Sequence, residues 1–147
     1  MLRIGLLATM VLATAVAAQE PVSNGIASLQ GRWLVVQVGE QTVAPTDPEG
    51  AFMVTGDKYV QGVGGRVTER GTIQVDGTKQ PMTIDFVISA GRFANTRQLG
   101  IFEVSGDTVR FHLAAPGATT RPENFTPKEG FELVVAKKRA AAVSDPR

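Results

Sequence analysis

The chain has 147 residues, of which 15 are Lys or Arg, 14 are Asp or Glu and none is Cys. This nearly balanced charge argues against nucleic acid or an anionic membrane as the main partner. The lack of cysteine excludes both a disulfide framework and thiol chemistry, so the packing of an apolar core must stabilise the fold.

Residues 1–18 have the composition of a secretory signal peptide. Arg3 is their one charged residue, an apolar run covers residues 4–18, and small side chains precede the polar Gln19. This pattern predicts cleavage after Ala18 and export to the periplasm or the medium, and the mature chain is then formally neutral. An uncleaved anchor is the alternative, but the run is shorter than the roughly 20 residues that a membrane-spanning helix needs.

Short apolar runs separated by turn residues follow a predicted linker over residues 19–28. A hairpin over 97–114 is the clearest, because two alternating runs meet at Ser105, Gly106 and Asp107. This hairpin contributes two strands. The pattern predicts six more, which makes eight in all: 33–38, 51–55, 58–61, 66–75, 82–89 and 131–137.

These connections are mostly tight, which favours antiparallel pairing of neighbouring strands. Eight such strands can close into an up-and-down barrel or pack as two sheets, and the barrel is favoured because it leaves no exposed edge. The sequence therefore predicts an all-β, eight-stranded antiparallel barrel over residues 29–139, followed by a flexible tail over 140–147.

Several motifs recur in the order of a known family: residues 29–33, 83–85, 100–109, 116–117, 121–125 and 133–139. In this order they resemble an uncharacterised lipocalin-like domain family, described as a planctomycete and acidobacterial domain of unknown function. The resemblance covers nearly the whole predicted mature chain. It implies a secreted or periplasmic barrel, and it implies no catalytic residue.

The opening Gly31-x-Trp33 is similar to the start of lipocalin barrels, where a tryptophan closes one end and a basic residue of the last strand lies across it. The resemblance implies a structural role for Trp33, with Arg139 or Lys138 over its ring. The alternative is an ordinary core tryptophan beside a solvated strand end.

Residues 114–130 are the one long connection, and Pro116, Pro122 and Pro127 disfavour both helix and strand there. We expect Arg121 to fold over the barrel mouth and form a latch by pairing with Asp85, because buried charges are normally paired. Contact with an anionic ligand is the alternative for Arg121. Asp85 can also face solvent as an ordinary strand residue.

Three functional hypotheses differ in what fills the barrel. The first is a carrier of a small apolar or amphipathic ligand, for which alternation nominates Tyr59, Phe86, Phe102 and Phe111 as lining residues. The second is a structural or interaction module with a solid core. The third is an enzyme that uses Asp85 or Glu103 in a cavity.

His112 is the sole histidine, and its position in the same alternation set as Thr108 and Arg110 predicts that it faces solvent. One histidine without cysteines or an acidic cluster does not make a zinc site. The sequence therefore predicts no cofactor, no metal and no catalytic residue, and an enzymatic function is the least favoured of the three.

Overall fold

A computed structural model describes residues 25–139, which form one short helix and nine strands. The elements are α1 Gly25–Ser28, β1 Gly31–Val38, β2 Gln41–Thr42, β3 Gly50–Thr55, β4 Lys58–Val63, β5 Arg66–Asp76, β6 Met82–Gly91, β7 Thr96–Ser105, β8 Thr108–Ala114 and β9 Phe131–Arg139. The predicted signal peptide 1–18, the first part of the predicted linker and the tail 140–147 lie outside the described residues.

The strands form one antiparallel sheet in the order β2-β1-β3-β4-β5-β6-β7-β8-β9. β1 also pairs with β9 over residues 32–38, so the sheet closes on itself as an eight-stranded barrel, to which β2 adds a short outer pairing with β1. The predicted antiparallel barrel is confirmed. Among residues 25–139, no helix has the length and hydropathy that a membrane crossing requires.

Two tight hairpins show how local sequence determines this topology. Gly56 and Gly106 each occupy the first central position of a two-residue turn, with φ of 63° and 60°. A positive φ at that position suits glycine and gives the turn a twist that matches antiparallel strands. The Gly-Asp pairs noted in the sequence therefore join β3 to β4 and β7 to β8.

One end of the barrel, which we call the closed end, is packed around Trp33. Leu29, Trp33 and Phe102 are fully buried there, and the Trp33 indole Nε1 donates a hydrogen bond of 2.8 Å to the Leu29 carbonyl oxygen. Helix α1 lies across this end with Gly25 close to Phe102. The second part of the predicted linker is thus a cap on the barrel.

The basic residue over Trp33 is Lys138, whose Nζ lies 5.6 Å from the indole ring centre. Trp33 and Lys138 are directly opposed across β1 and β9, so their side chains share one face of the sheet. Arg139 is the next residue along β9, so it belongs to the other face and is exposed. Of the two residues named from the sequence, Lys138 therefore makes the contact and Arg139 does not.

The connection between β8 and β9, residues 115–130, packs on the outer wall of the barrel, and we call it the outer loop. It corrects the prediction for His112. The His112 side chain does point outward, but it is only 1% exposed because the outer loop covers it. The His112 Nδ1 donates to the Asn124 carbonyl oxygen at 2.6 Å, and the imidazole ring stacks on Phe125 and meets the edge of Phe131. Alternation correctly excludes the barrel interior, but it does not reveal a loop that covers the outside.

Candidate functional site: a cavity at the open end

The end of the barrel opposite Trp33, which we call the open end, contains a cavity of about 460 Å³. It lies inside the ends of the strands furthest from α1. Its apolar walls come from strands around the whole barrel and include Val35, Phe52, Phe86, Phe111, Leu113 and Val134. A concave, mostly apolar space with a few polar groups is the usual form of a small-molecule site.

Aromatic rings form the floor of this cavity. The Phe111 ring centre lies 5.5 Å from that of Phe52 and 6.0 Å from that of Phe86, and both pairs meet edge to face. This geometry is favourable for aromatic pairs and fixes the ring orientations. Below the floor, Phe52 stacks on Trp33 with ring centres 6.1 Å apart, so the rings connect the cavity to the closed end.

The aromatic residues nominated from the sequence lie at three different heights along the barrel axis. Phe86 and Phe111 line the cavity, whereas Phe102 is buried in the closed end and does not reach it. Tyr59 lies inside the barrel, 1% exposed, with its ring against the edge of Phe86 at 5.0 Å. Alternation identifies which side chains point inward but not their height along the barrel axis.

Four polar side chains interrupt the apolar wall: Gln61, Glu69, Gln98 and Glu132. The Gln98 amide nitrogen donates to the Ala114 carbonyl oxygen at 2.9 Å, and the Tyr59 hydroxyl donates to Glu69 Oε1 at 2.8 Å. Burial raises the pKa of Tyr59 well above its usual range, and the hydrogen bond and negative charge of Glu69 add to this effect. Tyr59 is therefore a neutral donor that orients the Glu69 carboxylate.

The rim of the open end is apolar. Val38, Val63 and Phe93 all line the cavity and remain between 38% and 45% exposed. Pro48 and Pro116 add further apolar surface at the entrance. Clustered exposed apolar side chains at the mouth of a cavity are typical of a binding site rather than of an ordinary surface.

Arg121 forms a latch, but it does so on the outer wall instead of over the mouth. Its guanidinium donates to Asp85 Oδ1 at 2.6 Å and to the carbonyl oxygens of Ile84 and Gly100 at 3.0 and 2.8 Å. Asp85 also pairs with Arg97, at 2.7 Å. Arg121 does not line the cavity, so this cavity gives no support to the alternative role of contacting a ligand.

The carboxylates considered for catalysis also lie outside the barrel. Asp85 is held by its two arginines, and Glu103 pairs with Arg110 across β7 and β8. The Arg110 guanidinium carbon lies 4.0 Å from the centre of the Phe125 ring, which belongs to the outer loop. Neither acid faces the cavity, and residues 25–139 contain no cluster of His, Asp and Glu that could hold a metal ion.

The sequence reasoning missed several cavity residues. Phe52 and Glu69 follow the alternation of their strands, Phe52 with Val54 and Glu69 with Ile73, so this signal could have identified both. Phe93 lies in the turn between β6 and β7, where no periodicity indicates which way a side chain points.

Comparison with family models, with curated proteins and with solved structures gave no match.

Proposed function

We propose that this protein binds a small apolar or amphipathic molecule in the cavity at the open end, as a lipocalin-like carrier that a signal peptide directs out of the cytoplasm. The observation that carries the proposal is the cavity itself. Its volume of about 460 Å³ falls within the roughly 300–1,000 Å³ of typical ligand pockets.

The packing of the barrel supports a carrier more than a solid-core module. The closed end is filled by Trp33 and Phe102, whereas the same inward alternation at the open end leaves space above Phe86 and Phe111. Apolar walls that remain in contact with water are unfavourable, so a ligand that covers them gains the hydrophobic free energy of that contact.

The proposal can be tested with a cavity-filling variant and a neutral fluorescent probe, N-phenyl-1-naphthylamine. Gly50 lines the cavity, and a Cβ added there meets Val35 at an ordinary contact distance of 3.5 Å. The substitution Gly50→Leu should therefore fill the space with little strain. We expect the probe to bind the unaltered protein and to lose at least about tenfold in affinity in the variant.

Met53→Leu is the matched control, since Met53 lies on the same strand but is exposed on the outer wall. It should leave probe affinity unchanged. If the probe fails to bind the folded, unaltered protein, or binds the Gly50→Leu variant equally well, the carrier proposal is wrong.

A further inference from the structure

The charged residues of the cavity wall are all of one sign. Glu69 and Glu132 line it, while none of the described residues that line it is Lys, Arg or His. Three acids elsewhere on the barrel, Glu49, Asp85 and Glu103, each pair with an arginine. Within residues 25–139, neither Glu69 nor Glu132 has such an ion pair.

Glu69 is also oriented for a further partner. One of its carboxylate oxygens accepts the Tyr59 hydroxyl at 2.8 Å, which fixes the group on the inner wall. Tyr59 keeps its proton because burial and the hydrogen bond and charge of Glu69 raise its pKa, so it is a neutral donor and leaves the negative charge of Glu69 uncompensated. A half-buried carboxylate in this setting gains most from a cationic hydrogen-bond donor.

The cation Arg92 lies beside the rim residue Phe93. The Arg92 guanidinium carbon lies 5.3 Å from the ring centre of Phe93, and Arg92 does not line the cavity. An anionic ligand such as a fatty acid would therefore meet two carboxylates and no lining cation. Like charges in a partly desolvated site oppose binding, which selects against that class.

We infer that the ligand of this cavity is an amphipathic organic cation, whose apolar part lies against Phe52, Phe86 and Phe111 and whose ammonium or related group pairs with Glu69 near the entrance. Glu132, which is more exposed at the rim, attracts the cation on entry. This inference rests on the carrier function and adds the charge of the cargo.

Calorimetric titration with three probes of equal chain length tests the charge: decylamine, decanol and decanoate, each near neutral pH, at low salt and below its aggregation concentration. Decylamine should bind about tenfold more tightly than decanol, and decanoate more weakly than both. The preference for the amine should shrink as salt is added, because Glu132 and the mouth are open to solvent.

Glu69→Gln removes the charge but keeps an oxygen that can accept the Tyr59 hydroxyl. We expect it to bring decylamine affinity close to that of decanol, and Glu132→Gln to reduce the preference by a smaller factor. Glu129→Gln, an equal charge change in the exposed outer loop, is the control and should leave all three affinities unchanged.

The outcomes separate the two claims. If decanol binds and the amine shows no advantage, or if the advantage survives in both cavity variants, the charge inference is wrong while the carrier function stands. If neither decanol nor decylamine binds, the carrier function is wrong and the inference is wrong with it.

Discussion

The two ends of the barrel are built from the same alternating strands but differ in packing. At the closed end, Trp33 and Phe102 have no exposed surface, whereas Val38 and Phe93 at the open end each remain 38% exposed. Helix α1 lies across the first end, and no comparable element among residues 25–139 covers the second. The comparison shows that the same pattern of inward-facing apolar side chains forms a packed core at the end that α1 covers. At the end without such a cap, it forms the wall of a cavity.

The largest expected effect comes from breaking the closed end. Trp33→Ala should lower the free energy of unfolding by about 3–5 kcal/mol, because it removes a fully buried ring and leaves a cavity. Phe93→Ala, at the open end, should cost less than about 1 kcal/mol. Urea denaturation followed by circular dichroism measures both, and equal losses at the two ends would contradict the proposed division.

A middle-sized effect is expected from the outer wall. Arg121→Ala removes hydrogen bonds to Asp85, Ile84 and Gly100 and should destabilise the fold by about 2 kcal/mol. Arg97→Ala, which removes the more exposed partner of Asp85, should cost less than about 1 kcal/mol. Since neither side chain lines the cavity, both variants should keep the affinity for the neutral probe; a selective loss of binding in Arg121→Ala would extend the site to the outer loop.

The smallest expected effect is pH-dependent and concerns Tyr59, between the two ends. Its pKa is raised in the folded state, so its contribution to stability is complete below about pH 10 and is lost as pH rises beyond the unfolded pKa. Tyr59→Phe should cost about 1 kcal/mol at neutral pH, and this difference should narrow above about pH 10.

Tyr59 is the sole tyrosine of the chain, so the absorbance of tyrosinate reports its ionisation without interference from others. We expect that signal to appear only when the barrel unfolds at high pH. Ionisation near pH 10 in the folded protein would show that the hydroxyl is not held as the structure indicates.

The barrel could be predicted because its information is local. Gly56 and Gly106 mark two-residue turns, and runs such as Ile84, Phe86 and Ile88 alternate strictly, so strands and order follow from short segments. The sequence did not predict the two-residue strand β2 or the four-residue helix α1, because segments this short are too brief to show a periodic pattern.

The candidate site was less predictable because it depends on position along the barrel axis and on loops. Phe102 and Phe111 both follow inward alternation, yet only Phe111 reaches the cavity. His112 points away from the core as alternation predicts, and it is buried because Asn124 and Phe125 cover it. The alternation within one strand indicates neither how far along the barrel axis a side chain lies nor whether a loop covers it.

The pairing of β1 with β9 also determines how the domain can be tethered. Arg32, near the start of β1, lies opposite Arg139 at the end of β9, and α1 is at this same end. Residues 25 and 139 therefore both lie at the end of the barrel that contains Trp33. A solid support or fused reporter attached at the exposed Arg139 would hold the domain by its base, with its mouth directed away from the attachment.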